Sequence, residues 1–446
     1  MISAARLSSP STAVDGALLG CIVDGRRLEV REAGVGDWLL ETEVCVVGAG
    51  PAGLVLALML EQAGIPCVVL ECLSREKLQR RAGAGLIEHR TVRLLDAQGL
   101  AEPILLHGAI NNVCEFRFEG QSLALDYGAL TGGRGSYIYP QHELVAAYAH
   151  RLMATGGELH FGMRVTGVDQ NDDRAIVTAV AEETREPVRI ECRFVAGCDG
   201  ARSVLLPAIH DATVTELQHP FRWLTLIADA APSKARTLYG FHRRGFAGQM
   251  RRGAKLTRFM LEVPRRDTVD DWPDDRIWTE LQERLHADGE PEIARGELLE
   301  RDALDLRVRV AEPMHDRRVY LAGDAAHLIT PAGGKGMNLA IQDALELGCA
   351  LQERYRPDAA CGRLTTYSTT RLPAIWRTQE FSNWMLTLLH AGVSQSRHDT
   401  GGGQTAEASE FAYQLRRARL HELISNEQLS RWFAYAYAGV DPNPAR

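Results

Sequence analysis

From Glu43 onward the apolar positions run consecutively through Val44 to Val47 and break into glycines; they then recur with a helical period from Pro51 to Ala63 and run consecutively again from Cys67 to Leu70. Consecutive apolar runs bounded by turn residues predict strands buried on both faces, and the periodic stretch between them predicts the connecting helix of a βαβ unit. Between about 212 and 265 the pattern becomes alternating, in Trp223 to Ala228, Thr237 to Phe241 and Leu256 to Val263, which predicts antiparallel strands. After Asp324 the chain turns helical, and from Ala344 to Phe433 it carries long apolar-periodic stretches with few strand signals. Residues 1–42 show no long period and read as an N-terminal extension. The expected fold is α/β. A Rossmann-like domain is split between residues 43–211 and 301–360, a mainly antiparallel β-sheet domain is inserted at 212–300, and a helical region closes the chain at 361–446.

Composition narrows the class. A chain of 446 residues with 45% hydrophobic and 24% charged content is long enough for two packed domains. A net charge of -8, with no compact basic run, argues against a nucleic-acid partner. The nine cysteines include no CxxC pair and no metal-ligand spacing, so they read as reduced thiols and no metal is expected. The apolar stretch Gly16 to Val23 is too short to span a bilayer and lacks the basic flank of a signal peptide, which leads to an expected cytoplasmic location without a membrane partner.

The candidate chemistry begins at the first turn. Gly48, Gly50 and Gly53 form GxGxxG directly after a strand and at the opening of a helix, with Glu71 at the end of the next strand. Glycine lets the backbone approach a pyrophosphate, the helix amino end supplies N–H groups, and the carboxylate accepts from ribose hydroxyls. This fingerprint alone does not separate NAD from FAD.

Two further segments do. Arg193 to Ser203, containing Asp199-Gly200 and Arg202, resembles the Asp-Gly motif of flavoprotein aromatic hydroxylases, and Tyr320 to His327, containing Gly323-Asp324, resembles their Gly-Asp motif. Within that family the chain is similar to the 4-hydroxybenzoate 3-monooxygenases from about Glu43 to Val440. The resemblance implies bound FAD, with Arg81, Gln141, Asp199 and Asp324 among its ligands and the loop Pro331 to Asn338, with Gly336, Met337 and Asn338, facing the flavin. A helix amino terminus so placed would stabilise negative charge on the flavin. The resemblance also implies NADPH or NADH as electron donor, O2 as co-substrate, and hydroxylation through a flavin C4a-hydroperoxide. Tyr239 matches the tyrosine that receives the substrate phenol, Tyr437 its relay partner, and Pro331 a proline whose carbonyl touches the phenol. Arg252 matches the arginine that pairs with the substrate carboxylate, and Arg258 one that governs flavin movement. Arg307 matches a contact to the nicotinamide phosphates, while Arg202 occupies the position of a histidine with that task. A homodimer is implied as well.

The departures from the family pattern concern specificity. Met250 and Met260 stand where the family has a serine and a tyrosine on the carboxylate, and a thioether donates no useful hydrogen bond. The pocket is therefore expected to favour a ring-substituted acid such as 3-amino-4-hydroxybenzoate. Asn111 replaces the histidine that passes the phenol proton to solvent, Gly83 replaces an arginine on the FAD pyrophosphate, and Cys72 and Lys77 replace side chains that select NADPH, so the choice of nicotinamide stays open. The alternatives are another reaction of the same fold (epoxidation, halogenation or reduction) or a non-catalytic FAD-binding protein. None of the seven tryptophans lies in the Trp-x-Trp-x-Ile-Pro arrangement of halogenases.

Overall fold

The protein is described here by a computed structural model covering residues 19–23, 26–34, 37–80, 83–356, 362–390 and 406–440, with side chains described from residue 40 onward except at 406–409. The expected α/β fold class is present. Five parallel strands form the centre of the first sheet, in the spatial order Glu158–Phe161, Cys67–Glu71, Asp37–Val47, Pro187–Gly197 and Val319–Leu321. Val44, Cys45, Val46 and Val47 are all buried, as a strand covered on both faces requires. On one face lies the helix Pro51–Gln62, buried from Ala52 through Leu60, which packs on the helix Gly336–Arg354. The near-perfect fit shows at Gly348, where an added Cβ would stand 2.7 Å from the Met59 side chain.

The segment read as an extension supplies secondary structure of its own. Strands Leu19–Val23 and Arg26–Gly34 pair antiparallel, and the second pairs with the start of Asp37–Val47.

The second sheet has eight strands, in the order His327–Leu328, Glu297–Glu312, Thr213–Asp229, Leu256–Pro264, Ala247–Arg251, Thr237–Gly240, Val113–Phe118 and Gln121–Asp126. The pairing is antiparallel except between Thr237–Gly240 and Val113–Phe118. Residues 212–300 thus supply the middle of this sheet, while one edge comes from 113–126 and the strand that begins at Glu297 runs on to Glu312. One face packs on the helix Asp274–Arg284 around Phe259, Leu261, Trp278 and Leu281. The other face packs against the helices Tyr367–Leu389 and Glu427–Ala438 around Phe116, Tyr239, Met260, Phe433 and Tyr437. This second interface carries the candidate chemistry.

Candidate active site

Tyr239 lies on the short strand Thr237–Gly240, where alternation turns it toward the C-terminal helices. Tyr437 is in the last turn of Glu427–Ala438, a helix capped at its start by Asn426 and ended by Gly439 at φ 63°. The two hydroxyls meet at 2.8 Å, and both rings are buried. Phe116 stacks on Tyr239 with centroids 5.6 Å apart, and Phe433 stacks on Tyr437 at 5.3 Å. Burial raises the pKa of both hydroxyls, so each is protonated at neutral pH and can pass a proton along the pair.

The second group is basic. Arg252 Nη2 and Arg258 Nη1 both donate to the carbonyl of Gly83, at 2.5 and 2.9 Å. Burial, then the neighbouring Arg258, brings the Arg252 guanidinium down to about 10, and burial lowers Arg258 as well. No carboxylate approaches either guanidinium within 4.0 Å among the described residues, although Glu300 and Asp302 act on Arg258 from farther off. Half-buried cations without a close acid partner carry a desolvation cost, so the pair is suited to an anionic ligand. Met250 faces Arg258 across the hairpin and Met260 faces Gly248, which puts both thioethers on the side of the sheet that holds the arginines.

The third group is the glycine-rich turn. Gly48 has φ 101°, and an added Cβ would lie 2.4 Å from the Cys198 carbonyl. A Cβ on Gly53 would fall 1.9 Å from the Gly48 carbonyl, so the helix can sit this close to the strand only with glycine there. Gly50 has open space beside it. Glu71 accepts from the Ala49 and Leu73 N–H groups, each at 2.8 Å, and from the Cys72 thiol on the Leu73 side, so the carboxylate fixes the turn and keeps a second lone pair on Oε2. Asp199 accepts from the Val204 N–H at 2.8 Å, while its buried Oδ1 has no hydrogen-bond partner among the described residues. A strained glycine turn open at Gly50, the bare N–H groups of a helix start and an unsatisfied carboxylate oxygen fit a dinucleotide such as FAD.

The remaining expected residues fall around these groups. Gln141 accepts from the Ala84 N–H at 3.1 Å and so steadies the segment that carries Gly83. Gly323 is buried at a left-handed turn, Asp324 is exposed, and the Pro331 carbonyl accepts from the Gly334 N–H at 3.0 Å. Gly336 starts its helix and Met337 is buried in the first turn. Asn338 donates to the carbonyls of Leu86 and Gly334 and accepts from the Glu88 N–H, so its side chain locks the loop. Arg202 and Arg307 are exposed and away from the buried groups, with Arg307 3.7 Å from Glu216. Arg81 lies outside the described residues.

Two buried ionic groups were not singled out from the sequence. Lys335 Nζ reaches Glu88 at 2.5 Å and the carbonyls of Ala436 and Tyr437 at 2.7 and 2.9 Å, tying the loop to the helix that carries Tyr437. Asp343 accepts from Gly323, His327 and Arg371, all of them buried, behind the Gly-Asp turn. Burial would raise Asp343, but His327 and Arg371 outweigh it and hold the carboxyl below its usual value. A lysine and an acid inside otherwise apolar segments were the available signal in both cases.

The profile of the FAD binding domain family matches residues 41–382. The p-hydroxybenzoate hydroxylase of Acinetobacter baylyi is 32% identical over 403 residues, which is 90% of this chain and 96% of that protein. The crystal structure of p-nitrophenol 4-monooxygenase from Pseudomonas putida superposes with a TM-score of 0.75 at 21% identity, covering 90% of this chain and 99% of that one. The anhydrotetracycline hydroxylase of Streptomyces rimosus superposes with a TM-score of 0.69 at 25% identity, covering 90% of this chain and 76% of that one. No helix among the described residues is long and apolar enough to cross a membrane. No cluster there could hold a metal ion.

Proposed function

This chain belongs to the FAD binding domain family of aromatic monooxygenases, and from that premise we propose that it hydroxylates a 4-hydroxybenzoate-type phenolic acid carrying a further ring substituent, such as 3-amino-4-hydroxybenzoate. The observation that carries the reading is the buried contact of 2.8 Å between the hydroxyls of Tyr239 and Tyr437. A phenol donating to Tyr239 would lose its proton along this pair, and a phenolate is far more nucleophilic at its ortho carbons than a phenol. Bound FAD, reduced by NADPH or NADH, supplies the electrophilic oxygen from O2.

The chain's own share is binding, alignment and dryness. Gly48, Gly50 and Gly53, the start of the helix Pro51–Gln62, Asp199 and Asp324 would hold the dinucleotide, and the loop Pro331 to Asn338 would face its flavin end. Arg252 would take the substrate carboxylate through the planar fork that suits it, and the Pro331 carbonyl would meet the phenol end. Exposed Arg202 and Arg307 suit a nicotinamide donor that visits from solvent. Met250 and Met260 narrow the choice of acid. Two absent donors would weaken a plain benzoate by roughly 1.5 to 3 kcal/mol each, and an added ring group can recover part of this by contact with the thioethers.

The test is NADPH and NADH oxidation by the FAD-loaded protein with 4-hydroxybenzoate, aminohydroxybenzoates and dihydroxybenzoates, with products identified by mass spectrometry and NMR. One substituted acid that speeds oxidation and gains one oxygen supports the reading. If unsubstituted 4-hydroxybenzoate is the best substrate, the ring-substituted refinement is lost. If no phenolic acid is oxygenated, the assignment of Tyr239, Tyr437 and Arg252 is wrong.

A further inference from the structure

The helix Tyr367–Leu389 lies behind both ends of the site. Its buried residues Ser368, Arg371, Ile375, Gln379 and Ser382 recur every three or four positions and so share one face. A face turned to the interior is ordinarily apolar, yet all of these but Ile375 are polar, and each polar one finds a partner between Met314 and Asp343. Ser368 Oγ accepts from the Met314 N–H at 2.9 Å, and the neighbouring Tyr367 donates its hydroxyl to the Leu321 carbonyl at 2.9 Å. Arg371 Nε donates to Asp343 Oδ1 at 2.7 Å, while Oδ2 of the same carboxylate takes the Gly323 N–H at 2.9 Å, in the turn that carries Asp324. Farther along the helix, Gln379 Nε2 donates to the Leu328 carbonyl at 2.6 Å.

Ser382 stands against the loop expected at the substrate end. Its hydroxyl is 2.7 Å from that of Thr330 and 3.2 and 3.0 Å from the carbonyls of Thr330 and Ala332, and both side chains are buried. A hydroxyl has one proton, so Thr330 donates to Ser382 and Ser382 donates between the two carbonyls. Those carbonyls flank Pro331, which has no N–H of its own to fix its place in the loop. An added Cβ at Gly333 would stand 3.4 Å from the Phe381 ring and 3.5 Å from Met385, so the loop already lies on the helix and the hydrogen bonds settle its register.

We propose that this helix face sets the position of both ends of the site, with Arg371 placing the Gly323-Asp324 turn for FAD and Ser382 placing the loop around Pro331 for the substrate. Both are positioning residues, since each acts through another group. The FAD half rests on membership of the family, and the substrate half rests on the hydroxylase reading above. Arg371 and Ser382 are separated by about 16 Å along the helix axis, at about 1.5 Å per residue. One continuous helix thus holds the two loops at a fixed spacing. Apolar packing alone would leave them freer to slide, because a hydrogen bond is directional and burial of apolar surface is not. Oxygen transfer needs cofactor and substrate aligned, and an error of about 1 Å can cost about a hundredfold in rate.

The test is a crossover on the FAD-loaded protein. FAD release is followed by the rise in flavin fluorescence as the cofactor leaves, and acid affinity by the flavin absorbance change on titration with 4-hydroxybenzoate and 3-amino-4-hydroxybenzoate. Arg371→Gln should release FAD about tenfold faster and leave acid affinity in the remaining holoprotein unchanged, and Arg371→Lys, which keeps the charge, should restore most of the loss. Ser382→Ala should leave FAD release at the wild-type rate, weaken the acid about fivefold and lower the product formed per nicotinamide consumed. Thr330→Val should do the same, and the double variant should be no worse than either single one, because both remove one shared contact. If every variant shifts FAD release and acid affinity alike, or lowers only the denaturation midpoint, the helix merely packs and the proposal is overturned. Additive losses for Ser382→Ala and Thr330→Val overturn the role of Ser382. Should Arg371→Gln fail to fold, the Ser382 and Thr330 variants decide alone. If the wild type binds no phenolic acid, the hydroxylase reading falls and the substrate half with it, while FAD release from Arg371→Gln still decides the FAD half.

Discussion

Arg252 and Arg258 donate to one acceptor, the Gly83 carbonyl, at 2.5 and 2.9 Å. The arrangement holds two half-buried guanidiniums side by side although Arg258 depresses Arg252, and a Cβ at Gly85 would lie 2.1 Å from Arg252 Nη1, so the fork is walled in by backbone. A bound anion would relieve such a site further than Glu300 and Asp302 do from a distance.

Replacing Arg252 by Gln should therefore weaken binding of 4-hydroxybenzoate by on the order of 10 to 100-fold, the worth of one or two hydrogen bonds to a charge. FAD retention should not change. Titration of flavin fluorescence with the acid measures the first and absorbance after gel filtration the second. An unchanged affinity would remove Arg252 from the carboxylate site.

Substitution of either hydroxyl of the pair separates proton transfer from oxygen activation. Tyr239→Phe and Tyr437→Phe should both keep the fold, since each deletes one atom from a stacked aromatic cluster. Product formation should fall by roughly 10² to 10⁴-fold, the usual worth of a placed acid or base. NADPH or NADH consumption should fall less, with the surplus appearing as hydrogen peroxide. Assays of product, nicotinamide and peroxide on one sample check this, and equal losses in all would place the pair outside the chemistry.

How much of this was legible in the sequence follows from how local each feature is. The turn Gly48 to Gly53 and Glu71 are read within one βαβ unit, because strand, glycine spacing and helix are neighbours in sequence. Tyr239 and Tyr437 are 198 residues apart, so no periodicity could join them, and only the resemblance to a family did. The hairpin Val113 to Asp126 at the sheet's edge was missed for a related reason: its inner strand Val113–Phe118 pairs in parallel with Thr237–Gly240, and the pairing of distant strands leaves no local mark. The Lys335 to Glu88 contact spans 247 residues and was equally invisible, although a lysine between glycines at the start of a buried helix is unusual enough to ask what it holds.

That contact makes a prediction about stability. Lys335→Met leaves Glu88 buried at 5% exposure without its cation and strips the Ala436 and Tyr437 carbonyls of their donor. Loss of one partner of a buried pair costs roughly 3 to 5 kcal/mol. Adding Glu88→Leu should return much of this, because two apolar groups of suitable volume carry no uncompensated charge. Urea denaturation of the wild type and the two variants is the measurement. A double variant no more stable than the single would mean that the lysine matters for the carbonyls alone.

His390 sets an acid limit. Its Nε2 accepts from Trp223 Nε1–H at 2.7 Å, so the ring is neutral with the proton on Nδ1, which faces the Leu386 carbonyl at 2.8 Å. Burial brings its pKa down to about 3, and Glu262, 3.9 Å away, does not reverse this. In the unfolded chain the ring takes up a proton near pH 6.5, as histidines do. Between about pH 6.5 and 3 the unfolded state therefore binds the extra proton, so the stability that His390 contributes is complete above about 6.5 and is lost as the pH falls toward 3. The slope is at most about 1.4 kcal/mol per pH unit for this group. Burial lowers His219, His242 and His315 in the same direction, so the wild type should lose stability across this window faster than one group allows. His390→Phe should be less stable at neutral pH, since Trp223 loses its acceptor, yet show a shallower decline from pH 6.5 to 5, where few carboxylates titrate. Denaturation midpoints measured through that interval decide it, and parallel slopes for wild type and variant would mean that His390 is already protonated inside the fold.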